Sequence, residues 1–152
     1  MAAVWVLTTP KGGAGKTTLA LVLAGELARL GKTVEIIDAD ANAPMLAWAA
    51  KGRCPQTVTV TQAAGEAGGL RAQIALAKSR ASFTLIDTEG TNNALSTFAI
   101  ASADLVIVPM QASPEHARHA VRAVEFCAEV GHMRGAEVPT VVILNRMSAV
   151  RD

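Results

Sequence analysis

The chain has 152 residues, a formal net charge of +1, 51% hydrophobic residues and only 3% aromatic ones. That length suits one domain with a substantial core, 1–152, and the core has to be built from Ala, Val, Leu and Ile. The charge balance gives no support for a polyanion partner from composition alone. Cys54 and Cys127 lack disulfide-framework or metal-ligand spacing,. No apolar run approaches the roughly 20 residues that span a bilayer, and the N-terminus has no basic region before its apolar run. The expectation is a soluble, cytoplasmic protein without a membrane partner.

In chain order, residues 3–8 read as a buried strand,. Lys11 to Thr18, KGGAGKTT, follows it and precedes a helix from Lys16 to Leu30 closed by Gly31,. Strand, glycine-rich turn and helix form the setting of a phosphate-binding loop. Gly12, Gly13 and Gly15, with Ala14 between, let the backbone wrap an anion, and the helix N-terminus turns N–H groups toward it. Lys16 is spaced to reach the β- and γ-phosphates, and the Thr17 hydroxyl to ligate Mg²⁺, with Thr18 beside it. The usual first glycine of G-x-x-x-x-G-K-[ST] falls on Pro10, whereas K-G-G-x-G-K-[ST], beginning at Lys11, is complete.

Thr33 to Asp38 is a second strand, delivering Asp38-Ala39-Asp40-Ala41-Asn42 to its carboxyl end, where open α/β sheets bind ligands,. These aspartates serve either chemistry or capping of the next helix. A short helix over Pro44–Ala50, a loop at Gly52–Pro55, an edge strand at Thr57–Thr61 and a helix near Leu70–Ser79 follow. Phe83–Asp87 is an apolar strand ending in an acid, as Mg²⁺-binding strands of phosphoryl-transfer proteins do. Thr88-Glu89-Gly90 comes next, with Gly90 able to offer an N–H to the γ-phosphate. A helix over 92–102, a strand at Leu105–Pro109, a helix from Ser113-Pro114-Glu115 to Val130 closed by Gly131, and a strand at Thr140–Leu144 complete the pattern. Arg118 and Arg122, four apart with His116 and His119 nearby, form either a DNA-contacting face or a solvated one balanced by Glu115, Glu125 and Glu129; the charge pattern favours the solvated one,.

The loop with its extra lysine resembles the deviant Walker A motif of the ParA/MinD family of ATPases, and the later motifs follow in the family's order up to about Arg146. The resemblance implies a doubly wound, mostly parallel α/β sheet with helices on both faces, with the Phe83–Asp87 strand beside the first. It implies ATP and Mg²⁺ as ligands. Lys11 would cross a nucleotide-sandwich homodimer to the partner's ATP, Asp40 would orient the attacking water, and Asp38 would support Mg²⁺ through water alongside Thr17 and Asp87. Asn145, with Arg146 beside it, would contact the adenine. Glu89 stands where the family has proline, and Asn42 where it has glutamine. The implied function is a partition ATPase for plasmid or chromosomal DNA with a ParB-like DNA-bound partner. Direct, non-specific DNA binding by this chain would be weak. A membrane-cycling ATPase, or a domain that binds nucleotide without turnover, are the alternatives. Family members usually extend some 50 residues further, so this domain is expected to lack a C-terminal strand and helices.

Overall fold

A computed structural model describes residues 2–10, 12–90 and 93–145. Strands and helices alternate: β1 (Ala3–Leu7), α1 (Lys16–Arg29), β2 (Val34–Ala39), α2 (Pro44–Trp48), β3 (Val58–Gln62), α3 (Ala67–Arg80), β4 (Phe83–Thr88), α4 (Ala94–Ala101), β5 (Leu105–Met110), α5 (Pro114–Arg134) and β6 (Thr140–Leu144). One six-stranded sheet results, in the order β3-β2-β4-β1-β5-β6, and every pairing is parallel.

Strand alternation divides the core in two. Val4, Val6, Ile86, Val106 and Val108 pack under α3, α4 and α5. Leu7, Ile36, Leu85 and Ile107 pack under α1 and α2. Covering both faces is what an all-parallel sheet of continuous apolar strands requires. The scarcity of aromatics is met with small residues: Ala20, Ala24, Ala77, Ala99, Ala120 and Ala123 are buried and let the helices approach the sheet closely. Among the described residues one aromatic pair, Trp5 and Phe83, meets edge to face at 4.9 Å across β1 and β4,.

Two features of this fold determine where the site lies. The β1 strand sits between β4 and β5, and the helices that follow β1 and β4 cover opposite faces. Beyond the carboxyl ends of these strands the chain diverges and leaves a crevice, the usual ligand position in open α/β sheets. The end of β4 is also tied to the end of β1. Thr88 Oγ1 donates to Leu7 O at 3.0 Å and pairs with Thr8 Oγ1 at 3.1 Å, all of it buried.

The expected edge strand is confirmed as β3, and the expected neighbour of β1 as β4. Two local expectations change. Residues 49–53, beyond α2, form a π-helical turn that is kinked at Gly52, whose φ is +71°. Gly131 does not end α5, which runs three residues further. A Cβ on Gly131 would lie 3.1 Å from Ala136 O, so this glycine serves the close return of the chain. Termination falls to Gly135, at φ +72°, with Gly135 N–H donating to His132 O and Ala136 N–H to Gly131 O. The same double bond closes α1 at Gly31, as expected,.

Candidate phosphate-binding site

The loop between β1 and α1 takes up the conformation its glycines permit. Gly13 and Gly15 have φ of +79° and +93°. Gly15 caps α1 with no side-chain hydrogen bond, and the first turn of α1 carries no acid. The leading N–H groups of α1 are therefore left for an anion. A Cβ at Gly15 would run into the side-chain amide of Asn145, which would have to move, and the positive φ favours glycine there in any case,. Ala14 is buried and Thr18 is exposed, while Gly12 and Gly13 border open space. Lys11 and Arg146 lie outside the described residues.

Lys16 is 9% exposed. Burial lowers its pKa, and Asp87, Asp40 and Glu89 oppose that shift. Thr17 Oγ1 donates to Asp87 Oδ2 at 2.7 Å, so the hydroxyl of α1 and the acid of β4 converge as expected. Asp87 is 1% exposed, and its other oxygen, Oδ1, is buried without a hydrogen-bond partner among the described residues. Burial pushes the Asp87 carboxyl up to about 6, against the Thr17 hydrogen bond and Lys16, and with added repulsion from Asp38 and Asp40. A buried carboxylate with an unsatisfied oxygen is costly unless a cation or donor meets it. Among the described residues no group of three or more His, Cys, Asp and Glu could hold a metal ion. One carboxylate and one hydroxyl nonetheless suit Mg²⁺, which keeps several waters and takes its remaining ligands from phosphates. The residues present fit that ion.

Asp38 and Asp40 divide the two readings of their motif. Asp38 is fully buried and accepts from Asp40 N at 3.2 Å, Met45 N at 2.8 Å and Leu46 N at 3.3 Å. Its Oδ2 caps α2, the alternative to the expected water-mediated metal role, and its Oδ1 holds the Asp40 N–H in the loop before that helix. Asp40 is half-exposed and accepts from Asn42 N at 2.8 Å and Asn42 Nδ2 at 3.1 Å through one oxygen. Ala43, whose N–H donates to Asp40 O at 2.9 Å, stands at φ 44°, the one non-glycine residue at positive φ among those described. Asp40 lines a groove of about 410 Å³ with Asp38, Glu89 and Asn93, at the carboxyl ends of β2 and β4. The larger cavity, about 600 Å³, lies between the end of α5 and the amino end of β6, and holds no comparable cluster. The acidic cluster lies in the smaller groove.

Gly90 is at the root of the loop, its carbonyl accepting from Thr8 Oγ1 at 3.4 Å. Asn145 Nδ2 donates to Ala14 O at 3.2 Å, so this residue reaches the loop itself. Sequence reasoning missed Gln111, whose Nε2 donates to Gly13 O at 2.9 Å. Its signal was available: a polar residue just past the end of an apolar strand, next to the strand that bears the loop. Arg118 and Arg122 are exposed on α5, which both readings of that face require.

An all-parallel sheet with this glycine loop, a buried lysine and a hydroxyl–carboxylate pair at its carboxyl edge defines a P-loop nucleotide-binding fold of the deviant Walker A type. Residues 3–152 match the model of the VirC1 protein family, and the chain belongs to that family, a ParA-like one. It is 30% identical over 148 residues to a protein named ParA from Rhizobium radiobacter, covering 97% of this chain and 66% of that relative's length. Among solved structures, a plasmid partition protein from Borrelia burgdorferi shares the fold at a TM-score of 0.79 and 17% identity, over 99% of this chain and 81% of that one. The ATP complex of a Cyanothece McdA variant does so at a TM-score of 0.70 and 20% identity, over 94% of this chain and 70% of that one. No helix among the described residues is long and apolar enough to cross a membrane.

Proposed function

We propose that this chain binds Mg·ATP at the Gly12–Thr18 loop and hydrolyses it, forming an ATP-dependent homodimer in the partition of plasmid or chromosomal DNA. The observation that carries the reading is the Thr17–Asp87 contact, with Asp87 Oδ1 buried and unmatched among the described residues, beside Lys16. A hydroxyl and a buried carboxylate in contact, with a lysine next to them, would suit a divalent ion better than a folding role. Thr17 and Asp87 would hold Mg²⁺, which when bound supplies charge neutralisation on the phosphates. Lys16 would carry its charge to the β- and γ-phosphates. Asp38 fixes the turn that presents Asp40, and Asp40 would orient the attacking water. Gly90 would meet the γ-phosphate from the β4 side, and Asn145 and Arg146 the base. Lys11 would act in trans on the partner's nucleotide.

Partition names the biological setting on the strength of the family and of the Borrelia protein sharing the fold. A ParB-like, DNA-bound protein is the expected partner. Titration of a fluorescent ATP analogue tests the site directly. Lys16→Ala and Thr17→Ala should each weaken Mg²⁺-dependent binding at least tenfold, about 1.4 kcal/mol. Unchanged affinity in both variants would remove this loop as the nucleotide site.

A further inference from the structure

Three consecutive peptide groups of the loop are each held by a different element. Gly13 O accepts from Gln111 Nε2 at 2.9 Å. Ala14 O accepts from Asn145 Nδ2 at 3.2 Å. Gly15 O accepts from Leu19 N at 2.9 Å, the first bond of α1. In a planar trans peptide the C=O and the following N–H point in opposite directions. Each pinned carbonyl therefore turns the N–H that follows it, of Ala14, Gly15 or Lys16, away from the group that pins it and leaves it for an anion,. The third peptide is oriented by the helix. The first two have no helix to orient them and are flanked by glycines at φ +79° and +93°, so their planes are free to flip unless something holds them,.

We propose that Gln111 is a positioning residue for phosphate binding: its side-chain amide holds the Gly13–Ala14 peptide with its N–H turned into the loop, in tandem with Asn145 on the next peptide. The segment carrying Gln111 is itself braced. Ser113 N–H donates to Gln111 O at 2.8 Å, and Ser113 caps α5 through His116 N–H at 3.2 Å. Asn145 is braced by its own N–H on Met110 O at 2.7 Å, one residue before Gln111. The ends of β5 and β6 thus form one support with two amides aimed at adjacent carbonyls. The benefit is preorganisation: the loop meets the phosphates with its N–H groups already turned, and the cost of ordering them is met in folding.

This inference rests on the loop being the nucleotide site, and the test keeps the two apart. In the full chain, Gln111→Met keeps the length and neutrality of the side chain and removes its donor. Mg·ATP affinity should fall five- to tenfold, the amide resonance of Ala14 should shift in the nucleotide-free protein, and the melting temperature without nucleotide should stay within about two degrees, because Gln111 is partly exposed. Should Gln111→Met also lower the melting temperature further, Gln111→Glu decides, since it keeps shape and polarity but only accepts; wild-type affinity there overturns the proposal. Affinity within twofold of wild type in Gln111→Met, with Lys16→Ala still defective, overturns the role of Gln111 and leaves the nucleotide site standing. If wild type and Lys16→Ala bind alike, the nucleotide reading fails and this proposal falls with it.

Discussion

Asp87 carries two opposed demands. Its carboxyl is buried, which favours the neutral form, and its place beside Thr17 and Lys16 suits the charged form that a cation needs. With the folded pKa near 6, against an ordinary value of 3.8, the folded state holds the extra proton between those limits. Stability therefore falls as pH rises from about 4 to about 6, and the cost is fully present above 6. At 1.4 kcal/mol per unit the cost is about 3 kcal/mol at most. Asp87→Asn, neutral at every pH, should be more stable than wild type to urea at pH 7.5 without Mg²⁺, and the advantage should vanish near pH 4. An advantage that is independent of pH would mean the carboxylate is not the strained group. Asp40 makes the complementary test. Asp40→Ala should bind Mg·ATP normally but lose turnover, and retained turnover would pass the water-orienting role to Glu89 or Asp38.

At the scale of elements, the helix ends show how one residue type takes two roles. Gly131 and Gly135 both lie near the end of α5, and sequence spacing alone favours the first as terminator. The structure gives Gly131 a packing role inside the helix and Gly135 the left-handed cap. Gly135→Ala should cost about 1 kcal/mol through the left-handed backbone alone, since open space surrounds its Cβ position,. Thermal unfolding measures it, and an unchanged midpoint would place the cap elsewhere. A second element-level device is the pin between α3 and the β2–β3 edge. Glu35, 1% exposed, receives two bonds of 2.6 Å from Arg80 and one of 3.3 Å from Thr61, whose hydroxyl also accepts from Gln73. A buried acid in an otherwise apolar strand is tolerated because every bond it needs is supplied.

For the whole molecule, the decisive residue is Lys11. One loop has little use for two lysines on the same phosphates, because like charges held close repel. Directed at a partner's nucleotide, Lys11 would neutralise charge that builds during transfer, as an arginine finger does in trans. Lys11→Ala should then bind ATP within a few-fold of wild type, lower turnover at least a hundredfold, about 2.7 kcal/mol of barrier, and reduce the ATP-dependent dimer seen by light scattering. Normal turnover in this variant would withdraw the cross-dimer mechanism. With a net charge of +1, the chain should bind duplex DNA weakly at physiological salt even with ATP. Each neutralised phosphate adds about 0.9 to the salt slope, so tight, steep binding would implicate Arg118 and Arg122.

Local chemistry made the loop legible without a structure. KGGAGKTT demands positive φ, open backbone and a helix start within eight residues, and few other uses fit that combination. Buried parallel strands likewise announce themselves as short apolar runs, so the alternation of elements followed from the residues, and the pairing of β1 with β4 from the family resemblance. What the sequence by itself could not determine was which side chain serves which backbone group across the sheet. Asp38, which caps α2, and Asp40, which Asn42 meets instead, look alike in sequence, and only the position of the α2 N–H groups separates them. Gln111 lies 98 residues from Gly13, and Asn145 lies 131 from Ala14. Such contacts depend on strand order, which brings the ends of β5 and β6 next to the loop, and strand order is a property of the folded chain.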